Sequence, residues 1–153
     1  VERSRGLGDV YKRQLKNLAL DLNRSSQCWI HGYVVCRETE QEAKKYLNHY
    51  VIEKGDDVAV SNMLDIFGIE SQTLDESVLN EFKFHFKAGH GGYPLVGTPD
   101  QIVSKMQDLS SMGVDGILLS WLDYIDEAHY WIENVLPRLE QAGLRDPFTP
   151  SHL

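Results

Sequence analysis

The stretch "CWIHGYVVCR", residues 28–37, constrains the fold of this chain more than any other part of its sequence. It is apolar at nearly every position, a pattern typical of a strand that is covered on both faces. Two further strand-length apolar runs follow, "YPLVG" and "VDGILLSW", and helical patterns lie between the three runs. This alternation predicts parallel strands that are joined by right-handed β-α-β crossovers.

Two capping boxes predict where the helices after the first two strands begin. Thr39 with Glu42, and Thr98 with Gln101, each place a hydroxyl acceptor three residues before a side chain that can reach back to the backbone. Pro99 strengthens the second box, because its missing N–H costs nothing at the first position of a helix. We therefore expect helices that start directly after both threonines.

Apolar residues at helical spacing predict the remaining helices. The expected order is the end of a helix and then β-α-(αα)-β-α-β-α, with the last helix kinked or restarted at Pro137. The expected helical ranges are 15–23, 40–53, 58–67, 75–87, 99–113 and 124–143.

Charge and cysteine content exclude several classes of protein. The formal net charge of −8 argues against binding to the phosphate backbone of nucleic acids, which needs a basic face. No apolar run is long enough to span a membrane, and we expect a cytoplasmic protein. Cys28 and Cys36 lie in one strand-like run, too far apart for a disulfide at roughly 3.3 Å per residue, so both are expected to be free thiols. The six histidines lack the spacing of metal ligands, and no metal is expected.

Three regions are expected along the chain. Residues 1–14, "VERSRGLGDVYKRQ", show no helical or strand period and look like a translated linker or adaptor, so we expect a non-native leader. Residues 15–145 are expected to form the α/β domain, and residues 146–153 a tail. Three strands of the doubly covered type would leave large apolar faces open. The domain is therefore expected to be the C-terminal part of a (β/α)8 TIM barrel, contributing about strands six to eight with their helices and an insertion.

Three motifs carry a resemblance to a known family. "VVCRETEQEA", "GGYPLVGTPDQIVSKMQDLSSMGVDGILLSW" and "VLPRLEQAG", in this order, resemble the C-terminal portion of the bacterial-luciferase-like flavin-dependent monooxygenases, especially the alkanesulfonate and dimethyl sulfone branch. The resemblance covers residues 15–145. It implies a barrel that uses reduced FMN (FMNH2), delivered by a separate flavin reductase, to activate O2 and oxygenate a small substrate, as a homo-oligomer.

Two alternatives to this function stay open. One is a deazaflavin (F420)-dependent oxidoreductase of the same superfamily, and the other is a non-catalytic α/β module that binds a partner through its exposed strands. In the leading interpretation the fragment alone is inactive, because the missing strands would contribute much of the flavin site.

The first strand carries the first two expected catalytic residues. Alternation places Trp29, His31, Tyr33 and Val35 on one face, which we expect to line the barrel interior. The resemblance implies an arginine and a histidine two positions apart in the alkanesulfonate enzymes, and His31 and Tyr33 stand at those positions. Both could donate hydrogen bonds to an oxygen atom of a ligand, or they could merely fill the interior.

Three loops supply the other expected site residues. "KAGHGG" matches the mobile, glycine-rich lid of the sulfonate enzymes, and His90 is the catalytic residue that this lid would bring in. Gly97 and Thr98 begin a helix whose amides could hold an anion of the substrate or cofactor, although the capping box uses some of them. Trp121 and Tyr124 follow the third strand and are expected to line the pocket, or else to pack under the last helix.

The departures from the sulfonate pattern bear on substrate charge. His31 stands where the resemblance implies an arginine, and the lid has no arginine. A buried sulfonate needs permanent cations, for which guanidinium is suited. We therefore expect a small, neutral organosulfur or related compound, such as a sulfone, unless Lys87 or an arginine of the missing strands supplies the charge.

Overall fold

The computed structural model describes residue 12, residues 14–68 and residues 75–149. Most of the expected leader (residues 1–11 and 13) and half of the expected tail (residues 150–153) lie outside the described residues. Residue 12 is helical, and helix α1 covers residues 14–21, close to the predicted helix end at 23.

The elements that follow α1 in the described part of the chain occur in the predicted order. They are β1 (Trp29–Cys36), α2 (Glu40–Asn48), a π-helical segment (His49–Glu53), α3 (Asp57–Ile66), α4 (Glu76–Gly89), β2 (Tyr93–Gly97), α5 (Pro99–Ser111), β3 (Gly116–Ser120), α6 (Asp126–Asn134) and α7 (Leu136–Gln141).

Both predicted capping boxes are present. The Thr39 hydroxyl accepts from the Glu42 amide at 3.2 Å, and the Glu42 carboxylate accepts from the Thr39 amide at 3.1 Å. The same exchange joins Thr98 and Gln101 at 3.3 and 3.0 Å. After α5 the backbone turns at Gly113, whose φ of +82° favours glycine.

Two helices are interrupted, one as predicted and one not. Pro137 is the second residue of α7, and α6 ends at Asn134, because proline cannot donate to the turn before it. The predicted helix 40–53 instead changes to π-helical turns after Asn48. Within these turns the Tyr50 hydroxyl donates to the Ala88 carbonyl at 3.0 Å, so the π-helical segment is tied to the end of α4.

The three strands form one parallel sheet in the order β2-β1-β3. Residues 32–36 of β1 pair with residues 93–97 of β2, and residues 29–33 of β1 pair with residues 116–120 of β3. The strand that comes first in the chain is thus the central one, whereas consecutive strands six to eight of a barrel, as expected from the sequence, would place β2 in the centre. Its carboxyl-terminal half is bonded to β2 and its amino-terminal half to β3.

Helices cover both faces of β1, as its continuous apolar run predicts. Helices α5, α6 and α7 pack on one face, and the buried residues of this apolar face are Val34, Cys36, Leu95, Ile102, Val103, Trp131, Val135 and Leu139. Helix α2, the π-helical segment and α4 pack on the other, and the buried residues of this polar face are Tyr33, Val35, Ala43, Val51 and Ala88.

The polar face of β1 is covered along only part of its length. We expected it to line a barrel interior, but helices lie directly on Tyr33 and Val35. Towards the amino-terminal end of the strand the same face is open, and Trp29 is 62% exposed there.

Cys28 and Cys36 are both free, as predicted. Burial raises the pKa of the Cys36 thiol to about 12. None of the helices in the described ranges combines the length and the apolar character needed to cross a membrane.

Candidate functional site

An open groove of about 670 Å³ lies between the amino-terminal half of β1, the start of β2 and helix α4. This volume is within the range of small-ligand sites. Two imidazoles, those of His31 and His85, lie in its wall together with the carboxylate of Glu81. The rest of the lining is mostly apolar side chains and glycine backbone, and the described lining contains no lysine or arginine.

His31 is held in this groove from two sides. Its Nε2 lies 3.0 Å from the Ser120 hydroxyl at the end of β3. A Cβ atom on Gly92 would lie 2.8 Å from Nδ1 of the same ring, so the backbone before β2 packs directly against it. The sequence prediction that His31 faces a ligand site is consistent with this position, and its catalytic role stays a prediction.

Tyr33, two residues further along β1, is only 2% exposed and does not line the groove. Its hydroxyl lies 2.9 Å from Nδ1 of His85 on α4. Gly89 packs against the same tyrosine, since a Cβ atom there would lie 2.4 Å from the Tyr33 Cβ. Burial raises the pKa of Tyr33 to about 12, so the phenol keeps its proton at neutral pH.

His85 is the groove residue that the sequence analysis missed. Its imidazole extends from the buried Tyr33 hydroxyl to the groove, and its Nε2 lies 4.0 Å from a Glu81 carboxylate oxygen. A signal was present: Glu81, His85 and Gly89 recur every four residues and therefore share one face of α4. The glycine marks that face as the one in close contact with another element.

His90 lies outside this arrangement. The stretch expected to be a mobile lid is in large part helical, because α4 continues through Lys87 and Ala88 to Gly89. His90 ends the helix with φ of +51°, is exposed, and places its ring 5.4 Å from that of Phe86 rather than in the groove. The structure does not bring His90 together with His31, and its catalytic role stays a prediction.

Gly97 and Thr98 lie at the opposite end of β2, and their surroundings do not fit a phosphate. The Thr98 and Gln101 amides are already bonded within the capping box. The Gln101 side-chain amide donates to a Glu40 carboxylate at 3.0 Å, which places a negative charge beside the helix start. These residues therefore offer no cradle for the phosphate of FMN.

Trp121 and Tyr124 are also separate from the groove. Trp121 packs against the apolar face, with its ring 5.8 Å from that of Trp131, and its indole N–H is buried without a partner. Tyr124 is 60% exposed and contacts Trp121 at 5.6 Å between ring centroids. Ser120 points to His31 on one side of the sheet, and the next side chain, Trp121, points to the other. Trp121 thus packs on the apolar face while Tyr124 is largely exposed, and a role of either residue in the pocket stays a prediction.

The described residues contain no group of three or more His, Cys, Asp or Glu side chains that could hold a metal ion. What the groove offers chemically is a pair of imidazoles, each fixed at one nitrogen by a hydroxyl, in a mostly apolar wall. Such a wall can bind a small ligand through hydrogen bonds to its polar atoms.

Comparison with known proteins relates this chain to flavin-dependent monooxygenases, although no protein-family profile matches it. A sulfoquinovose monooxygenase of Agrobacterium fabrum is 28% identical over 126 residues, which cover 73% of this chain and 33% of that protein. An FMNH2-dependent dimethylsulfone monooxygenase of Pseudomonas fluorescens is 29% identical over 124 residues, which cover 78% of this chain and 34% of that protein.

A solved structure shows the same fold. The crystal structure of DmoA from Hyphomicrobium sulfonivorans aligns with a TM-score of 0.68 at 19% identity, over 90% of this chain and 36% of that chain. The small parallel sheet and its helices are thus part of a luciferase-like TIM barrel, as the sequence predicted. This chain spans about a third of the length of the curated relatives that it matches. It belongs to the bacterial-luciferase-like flavin-dependent monooxygenases.

Proposed function

We propose that this chain is part of a two-component monooxygenase that uses reduced FMN and O2 to oxygenate a small, neutral organosulfur compound, and that its groove contacts the substrate. The names of the relatives support the reaction class and the cofactor. The observation that carries the substrate class is the charge of the groove, whose described lining has two imidazoles and a carboxylate but no lysine or arginine.

The cations at the ends of the neighbouring elements are already paired. Arg37, directly after β1, forms an ion pair with Glu127 at 2.8 Å and lies 4.0 Å above the Tyr46 ring. Lys87 of α4 pairs with Asp57 at 2.7 Å, and its side chain is only 10% exposed. Lys87 is therefore not free to compensate a sulfonate in the groove, which removes one of the alternatives considered from sequence.

The relatives alone do not decide the charge of the substrate. Sulfoquinovose carries a sulfonate, whereas dimethyl sulfone is neutral, and both relatives match this chain to a similar extent. A sulfonate next to Glu81 would meet a like charge, whereas sulfone oxygens can accept from imidazole N–H groups without a counterion. The groove therefore favours the neutral compound.

When bound, reduced FMN supplies the electrons that activate O2. The start of α5 does not fit its phosphate, because the capping box bonds the amides of Thr98 and Gln101 and Glu40 adds a negative charge. We therefore assign the substrate side of the site to this chain and the phosphate side to the rest of the parent protein. A separate flavin reductase and a homo-oligomeric parent belong to the same proposal, and the chain alone is expected to be inactive.

Substrate competition in the full-length parent tests the proposal. With a flavin reductase, FMN and NADH, dimethyl sulfone should be consumed with a kcat/KM at least about tenfold above that for alkanesulfonates from ethanesulfonate to octanesulfonate. Sulfite release from an alkanesulfonate at an equal or higher kcat/KM would contradict the neutral-substrate proposal. Absence of FMN-dependent oxygenation with either class would contradict the reaction class itself.

A further inference from the structure

Each imidazole of the groove is held at one ring nitrogen by a hydroxyl group from another element. Nε2 of His31 lies 3.0 Å from the Ser120 hydroxyl, and Nδ1 of His85 lies 2.9 Å from the Tyr33 hydroxyl. His31 and His85 line the groove, but Tyr33 does not. The buried tyrosine thus contacts a groove residue without contacting the groove.

The hydrogen bond between the Tyr33 hydroxyl and Nδ1 of His85 can have either group as donor, depending on the histidine tautomer. Tyr33 is 2% exposed and keeps its phenolic proton at neutral pH, so its hydroxyl can donate to an unprotonated Nδ1. On the other side of the ring, the Glu81 carboxylate lies 4.0 Å from Nε2, where its negative charge attracts a proton on that nitrogen without forming a hydrogen bond. In the tautomer with its proton on Nε2, Tyr33 donates to Nδ1, and the Nε2–H group is left as a donor.

Two contacts fix helix α4 so that His85 is held at this distance. Gly89, one turn after His85, lies against Tyr33 so closely that a Cβ atom there would be 2.4 Å from the Tyr33 Cβ. The Tyr50 hydroxyl of the π-helical segment donates to the Ala88 carbonyl in the same turn of α4 at 3.0 Å. The imidazole is therefore preorganised before any ligand enters.

We propose that His85 is a substrate-binding donor of this groove, through Nε2–H, and that Tyr33 is its positioning residue. The ligand is a small neutral molecule with an oxygen acceptor and an apolar remainder, which matches the apolar walls formed by Ile30, Phe82 and Pro94. The identity of this ligand rests on the proposed function, whereas the orientation of His85 by Tyr33 does not. In this proposal His85, which is hydrogen-bonded to Tyr33, donates the hydrogen bond to the ligand that the sequence analysis expected from Tyr33.

The first test reads the tautomer of His85 in the full-length parent labelled with ¹⁵N-histidine. NMR should show His85 with a protonated Nε2 and an acceptor Nδ1, and Tyr33→Phe should shift both nitrogens towards a mixture of tautomers. Ser120→Ala is the matched control, because it removes the hydroxyl from His31 and should leave the His85 signals unchanged. A His85 that is protonated on Nδ1, or that does not respond to Tyr33→Phe, overturns the proposal even if the parent has no monooxygenase activity.

The second test separates binding from chemistry in the reductase-coupled assay. His85→Phe should raise the KM for dimethyl sulfone about tenfold and change kcat less than threefold, because it removes the hydrogen bond that Nε2–H donates to the bound ligand. His85→Gln, whose amide can donate from near the Nε2 position, should recover most of the affinity, and Tyr33→Phe should raise KM severalfold. His129→Phe, at an exposed side chain of α6, is the matched control and should change neither constant.

Two results of the second test contradict the proposal. An unchanged KM in a folded His85→Phe enzyme would show that His85 does not bind the substrate. A large loss of kcat in Tyr33→Phe together with normal kinetics in His85→Phe would assign the direct contact to Tyr33. If no substrate is oxygenated at all, the proposed function fails, and the tautomer measurement alone decides whether Tyr33 orients His85.

Discussion

Helices pack on both faces of β1 in its carboxyl-terminal half, but the interactions on the two faces differ. On the apolar face, Val34 and Cys36 pack with side chains of α5, α6 and α7 through apolar contacts. On the polar face, Tyr33 combines burial with a directed hydrogen bond to His85, and Gly89 allows α4 to approach closely. The comparison shows that one strand can serve as a packing surface on one side and as a support for an oriented side chain on the other.

The first prediction concerns the apolar face and has the largest expected effect. Ile102→Ala should lower the free energy of unfolding by about 2–5 kcal/mol, because Ile102 is 0% exposed and the truncation leaves a cavity. Denaturant unfolding measures this loss. Ile132→Ala on α6, where the side chain is 55% exposed, is the matched control and should cost far less. Equal losses at the two positions would mean that the face is not packed as described.

The second prediction concerns the contact between α4 and Tyr33. Alanine normally stabilises a helix interior relative to glycine, but Gly89→Ala should destabilise the protein by about 1–3 kcal/mol, since its Cβ would collide with Tyr33. Gly91→Ala is the comparison variant, because nothing lies within 4 Å of its Cβ and only the φ of +73° opposes it. A thermal shift that is smaller for Gly89→Ala than for Gly91→Ala would show that α4 does not press on the strand.

The third prediction measures the directed hydrogen bond itself. Tyr33→Phe should cost about 1 kcal/mol in the free energy of unfolding, the usual net contribution of a buried hydrogen bond. Tyr124→Phe, at a residue that is 60% exposed, provides the control and should change stability by less than about 0.5 kcal/mol. If both variants unfold at the same denaturant midpoint, the bond to His85 contributes nothing to stability.

The fourth prediction uses pH to distinguish the two faces and has the smallest expected effect. The pKa of Cys36 is raised from 9.0 to about 12 by burial, and that of Tyr33 from 10.0 to about 12. A group whose pKa is raised in the folded state loses its contribution to stability as pH rises above the unfolded value. Stability should therefore begin to fall near pH 9 because of Cys36, and Tyr33 should contribute only above pH 10.

Substitution of the thiol checks this assignment. Cys36→Ala should remove the part of the alkaline loss between pH 9 and pH 10, which is up to about 1 kcal/mol, and Tyr33→Phe should not. Unfolding measured at pH 8, 9 and 10 in both variants gives the comparison. An identical pH dependence in Cys36→Ala and the unmodified protein would contradict the origin proposed for the loss.

Local signals predicted the elements well because they act over a few residues. The capping boxes at Thr39 and Thr98 and the restart at Pro137 are interactions of a residue with its own neighbourhood, and the structure confirms each of them. Alternation along β1 also assigned its residues to the correct faces. These features need no knowledge of where distant segments pack.

The features that sequence reasoning did not predict depend on distant segments. Tyr33 and His85 are 52 positions apart, and no local pattern states that α4 lies over this end of β1. For the same reason His90 was expected in the site, whereas the histidine of α4 that lines the groove is His85, five positions earlier. The strand order is of the same kind: the expected barrel order would place β2 in the centre, and no local pattern in three equally apolar strands indicates that β1 lies there instead.

The central position of the earliest strand sets the timing of folding during synthesis. When β1 leaves the ribosome, neither neighbour exists: Tyr93 comes 61 positions after its partner Gly32, and Gly116 comes 87 positions after Trp29. At about 5–20 residues per second, β1 pairs with β2 and β3 only several seconds after it has been made. During this interval α2, the π-helical segment and α4 are made and can pack on the strand, so the polar face can form before the apolar one. The elements that position His85 can thus also be the first to bury the apolar side chains of β1.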